Sequence, residues 1–391
     1  MRWFLAKHNH CIKSLLCLGI RIQTVTTKCT MLELNLKVQS SSMETSAVIS
    51  SEIKLFTIKN NRGTKLVVSN CGAAVVSLFA KDINGKLEDI VLGYEDVNEY
   101  LNDEYYIGTI VGRYANRIAG DTVFINNKPY KLSTKEGRYH QHGGAVGFNK
   151  KLFFGTPFKQ DNKSGITFKY TSPHLEEGFP GELQLQVIYT LDDDDVWTIE
   201  YKGISSKTTL VNLTQHTYFN LSGNPAINID EHELKILSQY YLPVNELQVP
   251  TGELAEVKNT PFDFTRYKKI AKDIGEDNEQ LKLSNGYDHS FVLEKTHSSI
   301  LKHAIVVKEP HSGRKLDVYT TEPAVHFYTG NFLDNVKGKN GIIYNKRAGF
   351  CLETQHFPDA PNHPHFPSTV LKAGEQFYSK TIFKLSVVDS S

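Results

Sequence analysis

The 391-residue chain has few cysteines, no long apolar run and almost no net charge. Its five Cys are too few for the disulfide framework on which small secreted domains depend. No stretch approaches the ~18 consecutive apolar residues of a membrane-spanning helix. Forty-four Lys and Arg against 43 Asp and Glu give a formal charge of +1, without the basic excess of a nucleic-acid or membrane-surface binder. Neither nucleic acid nor membrane is therefore an expected partner. Methionine is absent after Met43, and from residue 51 onward there is no Pro- or Ser-rich linker and no internal repeat. With hydrophobic residues at 40% and charged residues at 22%, what remains is a soluble globular body large enough for a substantial core.

The small net charge is a sum of unlike parts. The first 32 residues carry five basic side chains (Arg2, Lys7, Lys13, Arg21, Lys28) and no acidic one, leaving a body of net −4. Lys13 and Arg21 bracket only the short SLLCLGI, so a secretory signal is a poor fit; a basic, acid-poor segment with Ser and Thr is closer to a mitochondrial transit peptide. An isoform-specific or extraneous extension, with Met31 and Met43 as alternative starts, is the plainer expectation. Cys71 and Cys351 alone serve the body, and sequons occur at Asn162, Asn212 and Asn220, the last two flanking a candidate catalytic histidine. A glycan there would obstruct it, so the expected location is cytoplasmic.

From residue 51 the dominant period is two. Leu183, Leu185, Val187, Tyr189 and Leu191 alternate with polar residues in ELQLQVIYTL, as a half-buried strand requires. Residues 65–69, 166–170 and 196–201 read likewise, with turn signals at Asn84-Gly85 and over 126–129. The best helical candidate is 267–283, weakened by Gly275. These features predict residues 51–391 as one large antiparallel all-β domain, a sandwich, behind a basic extension of residues 1–50. The Asp192–Asp195 run is expected at a solvated hairpin tip, lacking the alternating ligands of an EF-hand.

Five segments break the alternation by setting polar residues among Gly, Pro and apolar neighbours: 112–121 (GRYANRIAGD), 141–150 (QHGGAVGFNK), 211–224 (VNLTQHTYFNLSGN), 285–292 (NGYDHSFV) and 349–368 (GFCLETQHFPDAPNHPHFPS). Each holds a side chain able to donate, accept or move a proton: Arg117, His142, His216, Asp288 and Glu353. Read singly, Glu353 fits a solvent-facing strand residue, His216 a buried imidazole satisfied by backbone, Asp288 a turn residue and Arg117 a structural ion pair. His356, His363 and His365, with His140 and His142 nearby in sequence, raise a zinc hypothesis. Their proline-threaded H-x6-H-x-H spacing matches no recognised ligand geometry, so no metal is expected.

Taken in order, these segments resemble the aldose 1-epimerase (galactose mutarotase) family. The resemblance runs from about Ser51 to the end and includes NCGAAVVSLFAKDINGK, LEEGFPG, LPVNELQVPTGEL, NTPFDF, TEPAVHFYTGNFLD and LKAGEQF. It implies a β-supersandwich and cofactor-free interconversion of the α and β anomers of a free aldohexose, galactose or glucose, by a monomer or weak homodimer. It further implies Glu353 as the base at the C1 hydroxyl, His216 as the acid at the ring oxygen and His142 as an assisting or positioning group. Asp288, Asn116 and Arg117 would hold the sugar hydroxyls, with Phe219, Tyr218 or Phe357 offering an apolar face.

Two positions depart from the family pattern. His326 in TEPAVHFYTGN stands where the family commonly has a sugar-contacting Gln, and an imidazole cannot reproduce both ends of a carboxamide. Arg138-Tyr139-His140-Gln141 replaces the usual Asn and Leu before His142, which places His140 at the pocket rim. Two other functions remain in view: a hexose-6-phosphate epimerase, for which Arg113, Arg117 and Arg138 are phosphate candidates, and a sugar sensor without turnover. Retention of both Glu353 and His216 speaks against the sensor.

Overall fold

Alternating apolar side chains in long runs of β-branched and aromatic residues assemble, in the computed structural model, into two main antiparallel sheets packed face to face. The structure describes residues 52–293 and 300–388, so the expectations for residues 1–50 lie outside the described residues. Nine strands form the larger sheet, in spatial order Phe154–Gln160, Lys163–Ser172, Leu183–Asp192, Val196–Ser205, Gln376–Val387, Arg314–Thr320, Lys302–Lys308, Glu233–Ile236 and Lys268–Lys269. The smaller sheet orders Tyr218–Phe219, Phe350–Gln355, Ala324–Tyr328, Asp288–Val292, Tyr240–Tyr241 and Ala255–Glu256. A four-stranded sheet opens the described chain, Leu55–Lys59, Lys65–Ser69, Val75–Lys81 and Leu87–Asp89.

The Leu183–Asp192 strand buries the five apolar residues read from its alternation. Trp197 stacks on Phe383 at 4.8 Å between ring centres, and Phe219 of the smaller sheet meets the same Phe383 at 5.4 Å. Thr354 and Thr381 join the two sheets through their hydroxyls, 2.6 Å apart. The turns follow their chemistry: Asn126 and Asn127 both take positive φ, 51° and 61°, in the two-residue hairpin between Thr122–Ile125 and Lys128–Lys131.

One local expectation needs correction. The 267–283 segment is not one helix: Lys268–Lys269 pairs as a strand with Glu233-Leu234, and only Glu279–Ser284 is helical. Edge pairing captures one end, turns occupy Asp273–Glu276, and the helix starts where the Asn278 side chain accepts from the amides of Gln280 and Leu281. The Asp192–Asp195 tip is clasped as well as solvated. Asn60 Nδ2 donates to Asp195 Oδ1 at 2.7 Å, Asn61 Nδ2 to Asp193 Oδ2 at 2.7 Å, and Arg62 pairs with Asp194 at 3.5 Å. Among the described residues no helix is long and apolar enough to cross a membrane.

Candidate active site

A period of two sends neighbouring residues of the smaller sheet to opposite faces, and that division separates core from chemistry. Phe350, Leu352, Val325, Phe327 and Phe291 enter the core between the sheets. The intervening residues form two rows on the other face. Ser290, His326 and Glu353 lie directly across from one another in the register, as do Asp288, Tyr328, Cys351 and Tyr218. His216, two residues before Tyr218, extends the first row and brings Nε2 to 3.5 Å from Glu353 Oε1. Although this face is polar it is covered by loops, so Glu353 is only 1% exposed and the solvent-facing alternative for it fails.

The covering loops carry the remaining groups. Strands Arg117–Ala119 and Tyr139–Gln141 pair so that Asn116 and His142 meet at their ends. Both residues hold positive φ, and they clasp each other reciprocally. The His142 amide donates to the Asn116 carbonyl at 2.9 Å, while the Asn116 amide donates to His142 Nδ1 at 3.3 Å. An Nδ1 that accepts leaves the ring proton on Nε2, fixing His142 as a neutral donor. The chain then turns through Gly143, where a Cβ would lie 1.8 Å from the Gly112 carbonyl oxygen; only glycine fits.

The pocket has a volume of about 380 Å³ and is lined by Glu353, His216, His142, Asn116, Arg117, Asp288 and His326, together with Tyr106, Tyr218, Tyr328, Phe332 and Gln248. All seven candidate residues therefore converge on one space. Burial, aided by the negative charge of Asp288, pushes the Glu353 carboxyl well above its usual range. Its Oε2 is buried without a partner. Burial likewise holds the His216 imidazole down to about 4 and His142 well below its ordinary value. Asp288 goes the other way: burial alone would raise it, but the His326 hydrogen bond and charge, with Arg117, hold it down to about 2.

His326 Nε2 lies 2.6 Å from Asp288 Oδ1, and its Nδ1 lies 2.9 Å from Ser290 Oγ. A carboxylate only accepts, so Nε2–H is the donor of that pair. Arg117 Nη2 donates to Gln248 Oε1 at 2.7 Å, and Gln248 is itself tied to the Leu283 carbonyl. Behind His216, Cys351 Sγ contacts Nδ1 at 3.5 Å.

Several expectations are displaced. Phe219 belongs to the core and Phe357 packs on Phe366, leaving Tyr218 of the three suggested rings at the pocket. His140 is wholly buried with Nδ1 2.7 Å from the Ser133 carbonyl and its edge against Phe179, so it is not at the rim. His356 bonds to Glu322, apart from the neighbouring rings of His363 and His365, which bond to Asp359 and to the Gly252 carbonyl. Ser290, Tyr328 and Cys351 join the expected residues on this face, each two positions from one of them, the offset that period two supplies. Tyr106 and Gln248 sit on loops at positive φ, and no periodicity marks them.

The aldose 1-epimerase family model matches residues 54–384. Galactose mutarotase of Bos taurus is 45% identical over 321 residues, 81% of this chain and 89% of that protein. Galactose mutarotase of Homo sapiens is 44% identical over 318 residues, again 81% and 89%. The crystal structure of an aldose epimerase homologue from C. elegans superposes with a TM-score of 0.78 at 29% identity, covering 86% of this chain and all of that one.

Proposed function

The chain belongs to the aldose 1-epimerase family and interconverts the α and β anomers of an aldose, and from that premise we propose that Glu353 and His216 carry its two proton transfers. The observation that carries this reading is the buried 3.5 Å approach of His216 Nε2 to Glu353 Oε1, with Glu353 Oε2 buried and bonded to no protein group among the described residues. Ring opening removes a proton from the C1 hydroxyl and delivers one to the ring oxygen. Glu353 takes the first and His216 gives the second, so a carboxylate–imidazolium pair becomes a neutral acid and a neutral imidazole. Rotation about C1–C2 exposes the other aldehyde face, and the same two groups reverse their transfers on closure.

Burial assists that direction. It disfavours the charged form of both groups, so passing a proton through the sugar from His216 to Glu353 discharges an unfavourable ion pair. His142, held as a neutral Nε2–H donor, positions the ring oxygen. Asp288, ionised and fixed by His326, accepts from sugar hydroxyls, while Arg117 and Asn116 donate to them. The bond from C1 to the ring oxygen breaks as the C1 carbonyl forms and is remade on closure, the protein supplies only the two proton transfers, and the scheme calls on no cofactor.

We take the substrate to be free galactose or glucose. Of the three arginines considered for a phosphate, only Arg117 lines the pocket. The Arg113 guanidinium turns away to the carbonyls of Pro180 and Gly181 and to Ser172, and exposed Arg138 pairs with Glu136. A cytoplasmic location is supported by the sequon asparagines Asn212 and Asn220, 0% and 1% exposed, where no glycan could be carried.

Polarimetry of freshly dissolved α-D-galactose and α-D-glucose tests the assignment. Equilibration is expected to accelerate, with Glu353→Gln and His216→Asn each slowing it by at least about a hundredfold. A Glu353→Gln enzyme of normal turnover would remove the base from this scheme.

A further inference from the structure

Both ring nitrogens of His216 face residues of a single strand. Cys351 and Glu353 lie two positions apart in Phe350–Gln355 and therefore share its polar face. The imidazole spans the gap between them, with Nε2 3.5 Å from Glu353 Oε1 and Nδ1 3.5 Å from Cys351 Sγ. We propose that Cys351 is a positioning residue for the reaction: its sulfur accepts the Nδ1–H of His216, and so keeps the Nε2 lone pair of the neutral ring free to exchange a proton with the sugar. The proposal rests on the assignment of His216 as the acid above.

Proton balance calls for such a partner. As the acid, His216 starts as an imidazolium with protons on both nitrogens, and the ring oxygen takes the one on Nε2. The imidazole left behind keeps its remaining proton on Nδ1. On closure Nε2 must recover a proton from the C5 hydroxyl, which requires its lone pair. A neutral imidazole has one donor and one acceptor nitrogen, and the partner that Nδ1 meets decides which is which. An acceptor at Nδ1 holds the productive form, whereas a donor there would move the proton to Nε2 and close it to the returning one. The two pocket histidines thus take opposite forms. His142 Nδ1 accepts from the Asn116 amide, so its proton sits on Nε2 and serves as a fixed donor.

The surroundings suit a thiol in this role. Cys351 is wholly buried, and its backbone is registered against Tyr218 on one side and Tyr328 on the other. The Tyr218 and Tyr106 rings pack on the imidazole at 5.1 and 5.9 Å between centres and hinder its rotation. Burial also pushes the thiol well above its ordinary range, so no negative charge develops beside Nδ1. A carboxylate in the same place would favour the imidazolium and retain the proton that has to leave. A neutral, weakly accepting sulfur orients the ring without that penalty. Cys351 is not among the residues lining the pocket, so it acts on the sugar only through His216.

Cys351→Ala and Cys351→Ser leave side chains of nearly equal size, and only the second offers an acceptor. Nitrogen NMR of the full chain with isotope-labelled histidine reads the tautomer directly, with His216→Asn identifying the resonances by their loss. In wild type at neutral pH, Nδ1 is expected to show the shift of a protonated nitrogen and Nε2 that of a bare one. Cys351→Ala should move His216 toward the reverse pattern and lower kcat for galactose by about tenfold, with KM within about twofold. Cys351→Ser should restore the wild-type pattern and a kcat within about threefold of it. A packing role alone would treat the two variants alike. The proposal is overturned by a wild-type spectrum with the proton on Nε2, by an Ala variant of unchanged spectrum or unchanged kcat, or by a Ser variant as slow as Ala. The wild-type spectrum decides even where the Ala variant does not fold. If His216→Asn kept normal turnover, the acid assignment itself would fail, and the spectra would still show whether Cys351 holds the tautomer.

Discussion

Glu353 and His216 together hold one transferable proton near neutral pH, because burial raises the carboxyl and lowers the imidazole past each other. That count fixes the pH dependence. Lowering the pH through about 4 adds a second proton, on His216, so the pair can no longer rearrange its one proton into a carboxylate base and an imidazolium acid. Raising the pH above the elevated Glu353 value strips the only proton, and the ring oxygen loses its acid. The kcat/KM for galactose should therefore be flat through neutrality with an acid limb near 4, read from initial rates of mutarotation. A limb at the ordinary imidazole value of 6.5 would show that His216 is not held neutral by burial. Asp288, held down to about 2, stays ionised throughout this range. His326 sets that ionisation and occupies the family's Gln position, so His326→Gln should change the galactose-to-glucose ratio of kcat/KM by about tenfold, the worth of one hydrogen bond to a charged group. It should also raise the Asp288 carboxyl toward its ordinary range. An unchanged ratio would deny His326 a part in specificity.

The strands of the smaller sheet explain what the sequence made legible. Alternation in 349–368 and 285–292 is enough to put Glu353 and Asp288 on one face, since core residues Phe350, Leu352 and Phe291 fix the other. The loops are different in kind. His142 and Asn116 are oriented by each other's backbone at positive φ, and Gln248 reaches Arg117 from 131 positions away. Such pairings have no period, so the break in alternation marks His142 and Arg117 only as candidates, the family resemblance implies their roles, and nothing in the sequence singles out Gln248. Segment 267–283 misled for a related reason: edge pairing with Glu233-Leu234 decides its first residues, and local propensity does not. Arg314 shows the same long-range logic in the core. From the Arg314–Thr320 strand its guanidinium reaches Ala80 and Leu221 carbonyls and Glu88 Oε2, joining the larger sheet to the first sheet and to the chain leaving the active-site sheet. Arg314→Met should cost about 1–3 kcal/mol by removing the buried donor to the Ala80 and Leu221 carbonyls, while Glu88 keeps Lys86 and Leu221 keeps the Ser312 hydroxyl. The loss should appear as a lower urea midpoint at unchanged slope. A shift worth less than about 1 kcal/mol would mean that water replaces the guanidinium without penalty.

Across the whole molecule, one sheet serves as core on one side and active site on the other, so catalytic geometry is inherited from packing and closes within the described residues. The groups assigned to proton transfer and sugar binding fall between Asn116 and Glu353, and the family match begins at residue 54. The described chain is tied at its start: the Lys54 amide donates to Asn70 Oδ1 at 2.7 Å, and Asn70 Nδ2 donates to the Glu52 carbonyl at 3.2 Å. A chain beginning at Ser51 keeps both tethers, and it loses only the basic segment whose composition differs from the rest. Its kcat and KM for galactose should match the full chain within about twofold, and its thermal midpoint should be unchanged. A chain beginning at Asn60 makes the contrast. It removes the Leu55–Lys59 strand with buried Ile58, exposes the Lys65–Ser69 strand as a new edge and should unfold at lower temperature. If the Ser51 chain lost turnover while remaining folded, residues 1–50 would have to contribute a group to the site, and the geometry assigned here to Glu353 and His216 would be incomplete.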